Sequence, residues 1–175
     1  MSQTSPTAAA LPLCSIARAS QVLADPWALL VLRDCFRGAA RFEDFLALSS
    51  VSRTVLADRL KLLVAQGLLT RHAYLQRPPR FAYRLTPAGA DALPMLLEFM
   101  HWGDRHCDHG NGPPVLVRHL ACDQIMPAGA YCSHCRLPVD ASTVSFEPGP
   151  GARGAEAHRI AKVLADIRAR DAVAQ

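Results

Sequence analysis

Residues 41–69, RFEDFLALSSVSRTVLADRLKLLVAQGLL, admit few folds. The first part sets Phe42, Phe45 and Leu46 on one side of a short helix, and a Ser-rich turn follows. Ser52 suits the start of a second helix, because its hydroxyl can accept a backbone N–H that has no partner in a first helical turn. Val55, Leu56, Leu60 and Leu63 then recur at the spacing of a buried helical stripe. Gly67 stands where a left-handed residue ends a helix with least strain. Arg53, Thr54, Ala57, Asp58 and Lys61 remain on the outer face, a small polar set of the kind a recognition helix offers to a major groove.

The next residues narrow the choice further. LLTRHAYL alternates as a strand, QRPPR is a proline-stiffened basic tip, and FAYRL returns as a second strand. Adjacent prolines have no place in a central strand, so Pro78 and Pro79 mark an exposed hairpin tip. Two helices and a turn followed by a basic hairpin make a winged helix. Charge agrees with that order. Between Val51 and Leu85 the bases Arg53, Arg59, Lys61, Arg71, Arg77, Arg80 and Arg84 face one acid, Asp58, whereas the whole chain carries a net charge of only +4. The positive charge is therefore local, the footprint of a phosphate-binding surface. Arg53 and Thr54 are placed to read base edges, and Ser52 with its helix N-terminus to meet a phosphate. Lys61, Arg71, Arg77 and Arg80 are placed on the backbone or minor groove. Arg59 is expected to be tied inside the protein, to Glu43 or Asp44.

Several classes fall away. The longest apolar run is WALLVL, far short of the ~20 residues of a membrane span. MSQTSPTAAALPLC has no basic leader and no sustained apolar core, so a cytoplasmic protein is expected. No phosphate loop, paired carboxylates or nucleophile–base set is present. Cys-Ser-His-Cys has the form of a thiol oxidoreductase motif, but Arg-Leu-Pro after it is a poor helix start. An enzyme is not expected.

Along the chain, residues 1–12 read as disordered. Residues 13–109 form a winged-helix DNA-binding and dimerisation domain, 110–154 a Cys/His extension with a flexible EPGPGARG linker, and 155–175 a C-terminal helix. CSIARASQVLAD begins the domain with Ile16, Ala19, Val22 and Leu23 inward. Asp25-Pro26 caps the next helix, whose Trp27, Leu30, Val31 and Cys35 lie beneath the helix-turn-helix. Thr86-Pro87 launches the longest helix, PAGADALPMLLEFMHWGDRH, bent at Pro94. Its face of Leu93, Leu96, Leu97, Met100 and Trp102 calls for a second copy, giving a two-fold homodimer, or packs back on residues 14–36. Beyond Gly110-Asn111-Gly112-Pro113-Pro114 the chain reads as short strands and turns. In the last helix Ile160, Val163, Leu164 and Ile167 fall together and dock on the body or on the partner. The fold class is thus mainly α with a small β-hairpin, a winged helix-turn-helix with a short irregular or β extension and a terminal helix.

Six cysteines in such a chain point to metal or redox chemistry. His119-x2-Cys122 and Cys132-x2-Cys135 are two pairs of soft ligands at knuckle spacing, suited to tetrahedral Zn2+, with Asp123 or His134 as substitutes. A disulfide-capable hairpin, or cysteines that only pack, remain the other readings. Cys14 sits at a helix N-terminus, where the positive end of the dipole favours a thiolate and hence a redox-sensing role; a buried small side chain at a dimer edge is the alternative. Cys35 reads as core, and Cys107, near His106 and His109, is ambiguous.

Taken together, CSIARASQVLADPWALLVLRDCFRGAARFEDF, SVSRTVLADRLKLLVAQGLL and PPRFAYRLTPAG closely resemble the HxlR-type family of bacterial regulators, winged-helix proteins related to MarR. The likeness covers about residues 14–105. Its marks are Cys14, the Asp-Pro-Trp-Ala-Leu-Leu helix, the Arg-Phe-x-x-Phe step, the recognition segment and the Tyr-Arg-Leu-Thr-Pro-x-Gly exit from the wing. One departure is Ser15, where family members often carry proline after the cysteine. The resemblance implies a sequence-specific transcriptional regulator, more often a repressor. It would act as a homodimer on an inverted repeat in double-stranded DNA, with wings on the flanking minor grooves. It also implies sensing of oxidants or electrophiles through Cys14 in some relatives. The alternative is a redox- or zinc-responsive sensor module acting mainly through protein contacts of the extension. A small-molecule effector is admitted too, an apolar one entering near Trp27 and Trp102.

Overall fold

Asp25 and Pro26 open the helix on which the rest of the chain is laid. A computed structural model describes residues 14–108, 110–126 and 129–173, so the expectations of disorder in residues 1–12 and of a role for His109 fall outside the described residues. A short helix α1 (Ser15–Leu23) precedes α2 (Pro26–Phe36), whose N-terminus is capped by the Asp25 carboxylate accepting from the Ala28 N–H at 2.9 Å. Then come α3 (Phe42–Leu48) and α4 (Arg53–Ala65), followed by an antiparallel hairpin of β1 (Leu69–Gln76) and β2 (Pro79–Leu85). Leu32, Phe45, Leu56, Leu60 and Leu63 are fully buried together, so α2, α3 and α4 share one core. Gly67, at φ +71°, ends α4 in the left-handed region as its position predicts. The order and the packing are those of a winged helix-turn-helix.

The long helix divides in two. Thr86 caps α5 (Pro87–Ala90), accepting from the Gly89 N–H at 3.0 Å and donating to the Gly67 carbonyl at 2.6 Å. The chain then restarts as α6 (Leu93–His106), with Pro94 in its first turn. The expected bend does not arise because proline at a helix start displaces no backbone hydrogen bond. Gly89 is required for a separate reason: a Cβ there would run into the Leu68 carbonyl.

After α6, β3 (Val115–His119), β4 (Gln124–Met126) and β5 (Val144–Pro148) form an antiparallel sheet in the order β4-β3-β5. It builds a second core, in which Leu93 and Leu97 of α6 meet Val117, Met126, Cys132, Val139 and Val144. The inward face of α6 is thus covered by the extension. Met95, Phe99 and Trp102 stay exposed on another side of the helix, as does Ile16 on α1. The inward placement of Ile16 and Ala19 is not found, and α1 buries no residue within this chain.

The segment after β5 is not a loose linker. Gly149 and Gly151 donate to the Pro114 and Pro113 carbonyls at 3.0 Å each, and a Cβ at either glycine would strike the Pro113 or Gly112 backbone. That tie sets the origin of α7 (Gly154–Val173), which returns to the first core and buries Leu164 and Ile167 there. Among the described residues no helix is long and apolar enough to cross a membrane.

Candidate nucleic-acid interface and metal centre

The underside of α4 is locked by Leu56, Leu60 and Leu63, which leaves its opposite face and first turn outside. Ser52 Oγ accepts from the Val55 N–H at 3.3 Å, and Ser52, Arg53, Thr54, Asp58 and Lys61 are all exposed. The Arg53 guanidinium lies 5.9 Å from the Phe42 ring, at the outer reach of a cation–π contact. Lys61 Nζ is 3.9 Å from Asp58, an exposed pair of little energetic weight.

Arg59 is held inside as expected, but by a different acid. Its guanidinium reaches Asp25 at 2.8 Å, tying the recognition helix to the cap of α2. Asp25's hydrogen bond to Arg59 holds its carboxyl below the usual range against the opposing effect of burial. Asp44 is taken by Arg170 of α7, at 2.7 and 2.8 Å, while also accepting from the Arg41 and Ala40 N–H groups at 2.8 and 3.1 Å. Neither partner is visible in the sequence, because Asp25 and Arg170 are distant in the chain from the residues they bind.

The wing is fixed to the same lobe. The Tyr83 N–H donates to the Ala40 carbonyl at 2.7 Å, and Arg41 bridges to Ala82. The β1–β2 register runs from Leu69↔Leu85 to Gln76↔Pro79, with an irregularity at Tyr74. Pro78 lies in the turn and Pro79 opens β2, so the two prolines do stand at the tip. Every residue from Thr70 to Arg80 is exposed, which puts Arg71, Arg77 and Arg80 at the surface. Arg71 stacks on Phe81 at 3.4 Å, and Arg41, which sequence reasoning passed over, lies 4.6 Å from the Tyr74 ring.

The four soft ligands converge. The donor atoms of His119, Cys122, Cys132 and Cys135 all lie within 4.8 Å of one another. His119 Nδ1 is 3.4 Å from Cys122 Sγ and 3.3 Å from Cys135 Sγ, and Cys122 Sγ is 3.6 Å from Cys132 Sγ. A zinc tetrahedron with Zn–S of about 2.3 Å and Zn–N of about 2.0 Å has edges of roughly 3.5–3.8 Å, so the donor set fits such an ion. Disulfide sulfurs would be about 2.05 Å apart, and all six cysteines are free thiols. The two knuckles repeat one geometry. The Asp123 N–H donates to the His119 carbonyl at 2.8 Å and the Arg136 N–H to the Cys132 carbonyl at 3.0 Å. Asp123 and Arg136 both take positive φ, 56° and 63°. Backbone N–H groups of Cys135 and His134 lower the pKa of the Cys132 thiol. Neither substitute joins the cluster: Asp123 bonds Arg118 instead, and His134 is not among the converging ligands.

Cys14 is exposed at the N-cap of α1 and makes no side-chain cap hydrogen bond. Cys35 lies against the first core, where burial first and Asp34 second push its thiol well above the ordinary range. Cys107 is exposed at the end of α6. An apolar cleft of ≈ 200 Å³ opens between α2 and α6, but neither Trp27 nor Trp102 lines it.

Comparison with known proteins bears on this geometry. The HxlR-like helix-turn-helix family model matches residues 22–111. An uncharacterized HTH-type transcriptional regulator of Mycobacterium bovis is 37% identical over 137 residues, 78% of this chain and 87% of its own. The crystal structure of PA1607, a transcription factor candidate, superposes with a TM-score of 0.61 at 27% identity, covering 74% of this chain and 91% of that one. The redox regulator HypR in its reduced form gives 0.51 at 27% identity, over 54% of this chain and 95% of its own.

Proposed function

Since the chain belongs to the HxlR-like helix-turn-helix family, we propose that it is a repressor acting as a homodimer on an inverted-repeat operator, with one α4 per half-site. It is a transcriptional regulator with a helix-turn-helix DNA-binding fold, not an enzyme. The observation that carries the proposal is the exposed first turn of α4, held rigid from beneath and followed by a hairpin whose arginines all face outward. Arg53 and Thr54 read base edges, Ser52 meets a phosphate, and Lys61, Arg71, Arg77 and Arg80 bind the backbone or the minor groove. Symmetry is supplied through the uncovered side chains of α6, Met95, Phe99 and Trp102, with Ile16 of α1 alongside.

Operator selection followed by binding titrations at several salt concentrations tests these roles. Arg53→Ala should lose about 1–3 kcal/mol of discrimination at one base pair. Arg80→Ala should weaken all duplexes alike and reduce the salt slope by about 1. Identical behaviour of the two variants would contradict the assignment. A promoter–reporter pair, with and without the regulator, decides repression.

The same proposal gives His119, Cys122, Cys132 and Cys135 a structural Zn2+ ion, because four soft donors converge within 4.8 Å, three of their separations at the 3.3–3.6 Å of a tetrahedral edge, and four protein ligands leave no open position. Protein purified under reducing conditions should contain about one zinc per chain, and Cys135→Ser should lose it. Thiol titration of that preparation also separates Cys14, the exposed candidate for an oxidant or electrophile, from the zinc-held thiols. The extension packs Val117, Met126, Val139 and Val144 into the body and leaves Leu120, Ile125, Tyr131 and Leu137 exposed, so a module acting through protein contacts of the extension is the second reading.

A further inference from the structure

α2, β5 and α7 line a half-open chamber of ≈ 350 Å³ whose wall includes Phe146, Ile160 and Leu164 together with Arg33, Arg37 and Arg168. None of it is legible in the sequence, since its arginines lie on α2 and at the far end of the chain. Its volume falls within the range of small-molecule sites, about 300–1,000 Å³.

Arg37 sets its chemistry. The side chain is only 9% exposed and its Nε is buried without a hydrogen-bond partner. The nearest acid is Asp34, whose Oδ1 lies 3.8 Å from Arg37 Nη1. That oxygen is already engaged, accepting from Arg33 Nε and Nη2 at 2.9 and 2.8 Å, and Oδ2 accepts from the Ser49 hydroxyl at 2.8 Å. Arg168 spends one Nη2 bond on the Phe146 carbonyl at 3.0 Å. Burial, then the Arg33 and Arg168 charges, lower the Arg37 pKa from its ordinary value, and Asp34 opposes them. Two glutamates also line the chamber, but Glu147 is bound to Arg118 at 2.6 Å and Glu156 lies 3.8 Å from Arg159. A buried guanidinium with an unpartnered Nε, beside the three further cations Arg33, Arg153 and Arg168 and an apolar wall, is short of an anion.

We propose that this chamber binds a small organic anion with an apolar body, its carboxylate received by Arg37 and Arg168 and its hydrocarbon part by Phe146, Ile160 and Leu164. Bare inorganic anions suit it poorly, because they would leave the apolar wall unused. The chamber touches α2, which Arg59 ties to the recognition helix, and α7, which grips α3 through Arg170.

The test is calorimetric titration of the full-length protein with 2-naphthoate, 2-naphthalenemethanol and inorganic phosphate, and it does not depend on DNA binding. The naphthoate should bind once per chain, at least about tenfold tighter than the alcohol or phosphate, a difference of roughly 1.4 kcal/mol. Arg37→Gln and Arg168→Gln should each weaken it by about tenfold. Ala161→Phe, a change at an exposed α7 position on the wall, should abolish binding while the melting temperature of the free protein stays at the parent's value. If Arg37→Gln does not fold, the other two variants decide. Equal affinity for acid and alcohol, tighter phosphate binding, no saturable heat from the acid, or parental affinity in Ala161→Phe would overturn the proposal.

Discussion

Asp44 shows how much one carboxylate can organise. It is 6% exposed, closes the first turn of α3 through the Ala40 and Arg41 N–H groups, and receives both ends of the Arg170 guanidinium. Burial alone would raise its pKa; Arg170 and the two N–H groups outweigh that and hold it below the ordinary value. A depressed folded pKa means stability that is complete above the unfolded value, about 3.9, and lost as pH falls through the folded one. Asp44→Asn should therefore cost about 3 kcal/mol near neutrality, the scale for breaking a buried pair. The gap from the parent should close below about pH 4. Urea unfolding of both proteins at neutral and acid pH checks the size and the sign. A gap that persists unchanged in acid would show that the carboxylate's charge is not what matters.

Among elements, α6 has two faces with different fates. Leu93 and Leu97 are claimed by the extension, while Met95, Phe99 and Trp102, at i, i+4 and i+7, stay exposed among the described residues. Phe99 is 62% exposed, so a charge there disturbs nothing inside the protomer. Phe99→Glu should leave the melting of the isolated chain almost unchanged, within about 0.5 kcal/mol. In sedimentation equilibrium it should shift the species from dimer to monomer. The elements that can be read from the sequence are those fixed by neighbours in the chain: caps at Asp25, Ser52 and Thr86, the left-handed Gly67, the proline-tipped hairpin and the two ligand pairs. What cannot be read depends on distant partners. Nothing near Pro94 announces that Asp91 and Ala92 end one helix and begin another. The sequence marks Arg59 as an inward-held cation, yet it points to Glu43 or Asp44, whereas Asp25 holds Arg59 and Arg170 holds Asp44. EPGPGARG has the composition of a tether, but Gly149 and Gly151 are there so that two backbones can touch.

For the molecule as a whole, the extension is a structural half rather than an appendage. Cutting after Gly112 would strip the second core from Leu93 and Leu97 and remove Leu164 and Ile167 from the first. Each large apolar side chain so uncovered loses about 1.5–3 kcal/mol, and these losses together rival the ~5–15 kcal/mol by which domains are stable. The truncated chain should melt far below the parent or fail to fold, as circular dichroism would report. Retention of the parental transition would mean that the winged-helix lobe stands alone. Arg170 reaches Asp44 across a sequence separation of 126 residues, and its helix is the last element of the described chain. During synthesis, then, the winged-helix lobe leaves the ribosome before the residue that braces it has been translated. Fragments released before that point would hold Asp44 without the guanidinium that neutralises it.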